Sequence, residues 1–482
     1  MSYDYIIVGA GPSGLTLAYL FGKYGKKCLL IDQNSSVGGC HRVTRVNGFF
    51  TEHGPRVYSN SYKNTINLLE DMGYKFEDFF TPYNFSITNI GGDSLSHFTF
   101  TDKLKMGYEY LKFFTRIDCS KHISMESYMN DNNFSKSSKD YVDRLCRMTD
   151  GAGYKRYSKY QFLQLLNQEG FYSLQQPKKP NDIALFPKIM EAIEISGNVD
   201  VKLNSTVVKL NADKASNHIS SVVLKDGTNI KCKNVILAIP PKNMYSLLLG
   251  NPETVNAFGD YDPIMKSWVI DSSYNQYIPI TFHWNTKLSL PKVWGFPKTE
   301  WGIAFIVMSD YMSFDKSKTV ISTCITMTNS KALLTENTPG LPVNRKTANE
   351  VNNKEELINE VLRQLRKSYP SLPQPTHSIL SPEVKRVEKK WIVTDTAYMA
   401  TWTSNFIKFK SKSISNLYNV GTQNGKSKYA FTSMESAITN SIEFFNEQNY
   451  TSYQMDLHYP TTVRKVLLIV LVVIIALILY RR

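Results

Sequence analysis

Tyr3 to Asp32 reads YDYIIVGAGPSGLTLAYLFGKYGKKCLLID, and few folds accommodate it. The apolar run Tyr5 to Val8 leads straight into Gly9, Gly11 and Gly14 in the spacing G-x-G-x-x-G. Apolar residues at helical spacing follow (Leu15, Leu17, Ala18, Leu20, Phe21), then a second apolar run, Cys28 to Ile31, that ends on Asp32. In a β-α-β unit each piece has a mechanical task. Gly9 permits the tight turn, Gly11 lets backbone approach a pyrophosphate, and Gly14 lets helix and strand pack closely. Pro12 and Ser13 complete the turn, and the helix N-terminus offers N–H groups and positive dipole to the phosphates. Asp32 is placed to accept hydrogen bonds from a ribose. A doubly wound core whose glycines serve only the turn is the competing reading.

A second signal closes the chain. Val466 to Tyr480 reads VLLIVLVVIIALILY, bracketed by Arg464-Lys465 and Arg481-Arg482. Such a run covers roughly 22 Å as a helix, short of a ~30 Å hydrocarbon core, and snorkelling basic flanks close much of the gap. A buried core helix would carry a polar face. The expectation is a single-pass membrane anchor in a lipid bilayer, with the globular part facing the cytosol and Gln448 to Thr462 as a tether.

At 482 residues the chain exceeds what one core usually serves, so two domains are expected. Its six cysteines (Cys28, Cys40, Cys119, Cys146, Cys232, Cys324) include no C-x-x-C pair, which argues for free thiols in a reducing compartment. The net charge of +14 comes with no nucleic-acid motif, so no nucleic acid is expected as a partner. The eight histidines lack metal-ligand spacing and no G-x-S-x-G elbow occurs, which leaves metal and serine-hydrolase chemistry without support.

Between the two ends, paired glycines at Gly38-Gly39 and the turn Gly54-Pro55-Arg56 suggest backbone pressed against a flat ligand. Lys63 to Met72 reads as a helix, residues 80 to 180 as aromatic, lysine-rich and irregular, and Phe186 to Ile195 as a helix. Gly151-Ala-Gly153 follows no strand and is discounted as a nucleotide loop. Strands are expected at Val199 to Leu203 and Thr206 to Leu210, then a hairpin turn at Asp226-Gly227 and a strand Asn234 to Ile239. Beyond Asp262 come strands at Trp268 to Ile270, Gly302 to Met308 and Val320 to Met327, and a charged helix, Lys354 to Tyr369. A last strand, Asn416 to Val420, runs into Gly421-Thr-Gln-Asn and a helix from Ser433 to Asn446.

Taken together, Gly9-Ala-Gly-Pro-Ser-Gly14, Gly38-Gly39, Gly54-Pro55-Arg56, Val235-Ile-Leu-Ala-Ile-Pro-Pro241, Gly421-Thr422-Gln423 and Met434-Glu435-Ser436-Ala437 resemble the flavin-containing amine oxidases and their relatives. Those relatives are the protoporphyrinogen oxidases and phytoene desaturases, with monoamine oxidase nearest in tail and C-terminal motif. The resemblance implies an α/β fold: a Rossmann-like FAD-binding domain (GR2-type) interleaved with an α+β substrate domain, plus one C-terminal transmembrane helix. The FAD domain would comprise residues 1–80, 181–262 and 402–447, the substrate domain 81–180 and 263–401, the linker 448–463 and the anchor 464–482.

The resemblance also implies FAD with its adenine near Val207, and its ring between Gly54 to Arg56 and the helix start at Met434. A helix N-terminus there stabilises negative charge on the reduced ring. Departures are informative. The family's Gly-Gly-Arg is Gly39-Cys40 here, with Arg42 two places late, and the acid after Gly-Thr is Gln423. No cysteine follows Cys324, so FAD is expected to be non-covalent. Met265-Lys266-Ser-Trp-Val resembles the strand whose lysine holds a water near the flavin, which makes Lys266 the candidate catalytic residue; a surface lysine at a strand edge is its alternative. Tyr398 is the candidate cage aromatic, while Ser433 stands where monoamine oxidase has tyrosine.

The implied activity is removal of a hydride from an amine-like or other small-molecule substrate to flavin, with oxygen or a quinone as acceptor. Two alternatives stand beside it. His53-Gly-Pro-Arg-Val-Tyr also resembles the UDP-galactopyranose mutases, flavoprotein isomerases, and Cys40, Gln423 and Ser433 would suit a decayed flavoprotein acting as a tethered binding protein.

Overall fold

The computed structural model describes residues 2–83, 98–115, 123–150, 153–213, 217–259, 269, 272–274, 277–291, 299–330, 346–367, 369–394, 398–401, 406–425, 427–429, 433–450 and 452–480. Six strands build the first sheet early in the chain: β1 (Tyr3–Val8), β2 (Cys28–Ile31), β3 (Val199–Lys202), β4 (Val207–Asp213), β5 (His218–Leu224) and β6 (Asn229–Leu237). A second sheet takes β7 (Ile278–Trp284), β8 (Ile303–Val307), β9 (Thr319–Ile325) and β10 (His377–Leu380), and β11 (Leu417–Asn419) returns to the first.

The first sheet runs β3-β2-β1-β6 in parallel. β6 changes partner along its length: Asn229 to Lys231 pair antiparallel with β5, while Val235 to Leu237 pair parallel with β11. Near-continuous apolar sequence in β1 and β2 follows from burial on both faces. Tyr5 and Ile7 of β1 pack under α1 (Pro12–Lys23), whereas Ile6 and Val8 face a core shared with Leu210, Ile219 and Met244. α2 (Lys63–Asp71) lies on the α1 side.

Residues 80 to 180 differ from their reading as irregular. They contain α3 (Phe100–Thr115), α4 (Met125–Asp131), α5 (Lys136–Asp150) and α6 (Lys159–Glu169). Serine caps start two of them: Ser124 Oγ accepts from Ser127 N at 3.0 Å before α4, and Ser158 and Gln161 form a reciprocal capping box before α6. The periodicity was obscured because charged residues are buried among the apolar ones. Glu109 and Lys159, each 3% exposed at the side chain, pair at 2.6 Å between α3 and α6.

Further along come α7 (Leu185–Ile195) and α8 (Pro241–Leu249) on opposite faces of the first sheet, and α9 (Lys354–Arg366) against the second sheet. That sheet is antiparallel in the order β8-β9-β7-β10, and Leu357, Val361 and Leu365 of α9 fill the core beneath it. Trp268 to Ile270 and the loop Gly151-Ala-Gly153 fall outside the described residues apart from Val269 and Gly153. The chain ends with α10 (Met434–Glu447) and α11 (Val463–Tyr480).

The second sheet meets a hairpin of residues 43–52. Its Phe50 carbonyl accepts from His283 Nε2 at 2.9 Å, and Thr51 meets Thr281 hydroxyl to hydroxyl at 3.0 Å. Burial pushes the His283 imidazole down to about 4. The folded chain therefore holds this ring neutral, and its contribution, present above the ordinary value near 6.5, is lost as pH falls towards 4. Acidification across that window is expected to cost at most about 3 kcal/mol from this group. Urea unfolding at pH 7 and pH 4.5 checks it: His283→Asn should show a visibly smaller pH difference than the parent chain.

Gln448 to Thr462, read as a tether, is packed onto the body. Met455 is buried, and its backbone exchanges two hydrogen bonds with Asn446, at 2.8 and 3.0 Å. The Asn64 side-chain amide pairs with both backbone groups of His458 at 2.8 Å each. Thr461 N donates to Tyr172 Oη at 2.6 Å, and Arg464 N donates to Asn167 Oδ1 at 3.0 Å. α11 is 18 residues long with no buried residue, apolar enough to cross a membrane.

Candidate active site

The glycine loop separates into two kinds of position. A Cβ on Gly9 would stand 2.4 Å from the Ala238 carbonyl oxygen, and one on Gly14 would stand 1.8 Å from the Gly9 carbonyl oxygen. Packing within the chain thus accounts for both. Gly11 is different: its backbone is extended (φ −77°, ψ −179°), and a Cβ there would meet only Gly39 Cα, at an ordinary 3.7 Å. Among the described residues nothing requires glycine at that place. Asp32, at the end of β2, accepts from Ala10 N at 2.7 Å and from Asn34 N at 2.8 Å, which fixes its carboxylate beside the loop.

The loop opens into a cavity of about 960 Å³. Gly9, Gly11, Pro12, Ser13, Asp32, Gly39, Arg42, Gly54, Pro55, Arg56, Val207, Gly421, Gln423 and Met434 all line it. Gly14 stands behind the loop rather than on the wall. Ser13 turns its hydroxyl towards the Ala437 carbonyl of α10, at 3.5 Å. Gln423 donates to Asn419 Oδ1 at 2.8 Å and to the Ile239 carbonyl at 3.3 Å, so its amide also ties β11 to the end of β6. Lys266 lies outside the described residues. So does the side chain of Tyr398, whose backbone pairs with Tyr274 in a short ladder.

Arg42 reaches the cavity wall and is ion-paired there with Glu383. His53 Nδ1 lies 3.6 Å from the other oxygen of Glu383. Burial alone would raise the Glu383 pKa; the His53 hydrogen bond and the Arg42 guanidinium outweigh it and hold it at about 2. His41, whose Nδ1 lies 3.0 Å from Tyr58 Oη, is held well below its ordinary value by burial and then by Arg56 and His53. Behind Arg56, burial pushes the Glu52 carboxyl up to about 7 against the pull of that guanidinium.

Another wall comes from the end of α6. Glu169 accepts from Ser59 Oγ at 2.5 Å, from Ser61 Oγ at 2.7 Å and from the Tyr429 hydroxyl. Tyr62 meets Tyr429 edge to face at 5.3 Å, and both line the cavity with Tyr172. Sequence reasoning did not single out Glu169, Tyr429, Glu383 or His41. They come from separate stretches with no motif of their own. The sole signal was the aromatic richness of residues 80 to 180, the stretch that holds Glu169 and Tyr172.

Comparison with known proteins bears on this arrangement. Residues 7–72 match the family model of the NAD(P)-binding Rossmann-like domain. UDP-galactopyranose mutase of Mycoplasma genitalium is 30% identical over 71 residues, 14% of this chain and 18% of that protein. Phytoene desaturase of Fusarium fujikuroi is 25% identical over 340 residues, 60% of this chain and 56% of the desaturase. The chain thus matches only part of the length of either relative. Among solved structures, putrescine oxidase bound to putrescine superposes with a TM-score of 0.63 at 15% identity, covering 93% of this chain and 99% of that one.

Proposed function

We propose that this chain, which has the fold of the flavin-containing amine oxidases and their relatives, is an FAD-dependent oxidoreductase anchored to a membrane through α11. The observation that carries the reading is Gly11: a glycine that protein packing does not require, at the point where the loop enters the cavity. The residues present fit FAD. The loop and the first turn of α1 would hold the diphosphate, Asp32 the ribose, Val207 the adenine side, and Gly54 to Arg56 with Met434 the ring. When bound, FAD would supply the acceptor for hydride removal from a substrate C–H bond, with oxygen or a quinone taking the electrons afterwards.

What the chain itself supplies is orientation and charge. Three hydroxyls fix the Glu169 carboxylate on a wall that also carries Tyr62, Tyr172 and Tyr429, which suits a cationic amine. Glu169→Gln is expected to lower kcat/KM for a charged amine by roughly 30-fold, about 2 kcal/mol, and much less for a neutral substrate. Equal losses on both would remove Glu169 from substrate selection. α11 is roughly 27 Å long, and its uncharged part, Val466 to Tyr480, covers roughly 22 Å beyond Arg464 and Lys465, which supports a single-pass anchor; the body on the cytosolic side is part of the proposal.

The reading is tested by purification of the full chain in mild detergent, a visible spectrum, and a peroxide-release screen over amines. Yellow protein that releases FAD on acid precipitation and is bleached by an amine is the expected result. Folded protein that stays colourless and refuses added FAD would end it. The mutase resemblance over the N-terminal segment favours a second reading, a flavoprotein isomerase. Turnover of a UDP-sugar under anaerobic conditions with reduced flavin would identify that one instead.

A further inference from the structure

α3 carries an apolar stripe on its outer side. Phe100, Leu104, Tyr108 and Leu111 recur at steps of four, four and three, and are 76, 59, 63 and 58% exposed. Positions at that spacing share one helix face, and on a water-facing helix that face is normally polar. Four large apolar side chains in series form the kind of patch that a soluble surface avoids.

The charges of α3 are sorted as sharply. Both acids point inward: Asp102 and Glu109 are each 2% exposed. Asp102 accepts from Ser135 and Ser138 at 2.6 and 2.7 Å, and Glu109 from Lys159 at 2.6 Å. The lysines stand outside or at the edge, with Lys103 exposed and Lys105 and Lys112 half-buried. Lys112 Nζ lies 5.2 Å from the Tyr108 ring centre, its stem lying along the helix beside the stripe. Lys105 and Lys112 lean back to those acids, with Nζ 3.6 Å from Asp102 and 2.9 Å from Glu109, so the outer side of α3 presents aromatic and aliphatic groups with Lys103 as its exposed cation and no carboxylate.

This surface continues towards α11. α3 packs on α6 through the Glu109–Lys159 pair and through Phe113 and Tyr160, whose rings are 5.9 Å apart. α6 carries Leu166 exposed, Phe171 follows it exposed, and Asn167 of the same helix receives the backbone N–H of Arg464 at the start of α11.

We infer that α3 is a second membrane contact, an amphipathic helix lying in the headgroup layer of the anionic bilayer that α11 enters. A Phe, Leu and Tyr face with an exposed lysine beside it and no outward carboxylate suits an interfacial helix, whose apolar side sinks roughly 5–10 Å into the headgroup boundary. Lys103 meets anionic headgroups together with Arg464 and Lys465 at the start of α11, while the stems of the paired lysines cover apolar surface. The inference rests on α11 being the anchor.

The test uses the full chain reconstituted from outside into phosphatidylcholine–phosphatidylserine vesicles. An environment-sensitive NBD label is attached at Leu104→Cys, Tyr108→Cys, Val472→Cys or Asp226→Cys in turn, with the unsubstituted chain as background for native thiols. Labels at 104 and 108 should emit at shorter wavelength than the label at 226, and dithionite should bleach them at least ~10-fold more slowly, as for an interfacial helix. Bleaching of 104 and 108 at the rate of 226, with 472 protected, would leave the anchor standing and overturn the contact. Free bleaching at 472 as well would remove the anchor and this inference with it. Protection at 104 and 108 that persists in detergent without vesicles would reveal a protein partner and overturn the lipid assignment.

Discussion

Gly11→Val is expected to yield a folded chain that has lost its flavin. Its Cβ would enter a place where only Gly39 Cα stands, at 3.7 Å, and the extended backbone at Gly11 suits any residue. The protein-side cost is that of a poor N-cap, of order 1 kcal/mol. The ligand-side cost is much larger, because a branched side chain would occupy the space through which the diphosphate approaches the helix end. FAD affinity should fall by at least roughly 100-fold, about 3 kcal/mol, measured by flavin titration alongside a thermal melt. Gly14→Val provides the contrast. Its Cβ would lie 1.8 Å from a backbone carbonyl, so it should fail to accumulate as folded protein at all. Unchanged FAD binding by folded Gly11→Val would show that the loop serves packing alone.

The second large effect is expected at Glu435. This residue sits in the first turn of α10 yet acts on α2. Its carboxylate, 1% exposed, accepts from Asn64 N and Nδ2 at 2.9 and 3.0 Å and from Thr65 N and Oγ1 at 2.9 and 2.8 Å. Two of those donors are free N–H groups of the first turn of α2, so one helix caps the other with a full charge. Glu435→Ala leaves four buried donors without that acceptor and should cost roughly 3–5 kcal/mol. Glu435→Gln keeps one acceptor oxygen and should fall between Ala and the parent chain. Urea unfolding followed by tryptophan fluorescence reads both. A loss below ~1 kcal/mol for the alanine variant would mean that water replaces the cap.

The two sites differ in how far the sequence disclosed them. The glycine loop was legible because its determinants are local: Gly9, Gly14 and the strand ends they touch lie within one β-α-β unit, save for Ala238. The strand through Val235 to Leu237 and the glutamine after Gly421-Thr422 were likewise legible from short motifs. Glu169 was not. Its partners Ser59, Ser61 and Tyr429 are brought to it from far along the chain, and no periodicity encodes such a meeting. The helices between residues 100 and 169 were missed for a different reason. Asp102, Glu109 and Lys159 are charged residues inside a core, and they break the apolar rhythm on which helix recognition depends. Arg42 shows the limit of a motif, since its place on the wall was legible and its ion pair with Glu383 was not.

The docked segment between α10 and α11 has a mechanical consequence. A free leash of that length would let the body swivel and drift above the lipid, sampling many headings. Clasped by Asn64, Asn446 and Tyr172, the segment removes that play, so on the proposed anchoring the body would stand on its stalk at one height and one bearing. A push or tilt of that stalk would be delivered directly to the start of α2, which Glu435 holds from the other side.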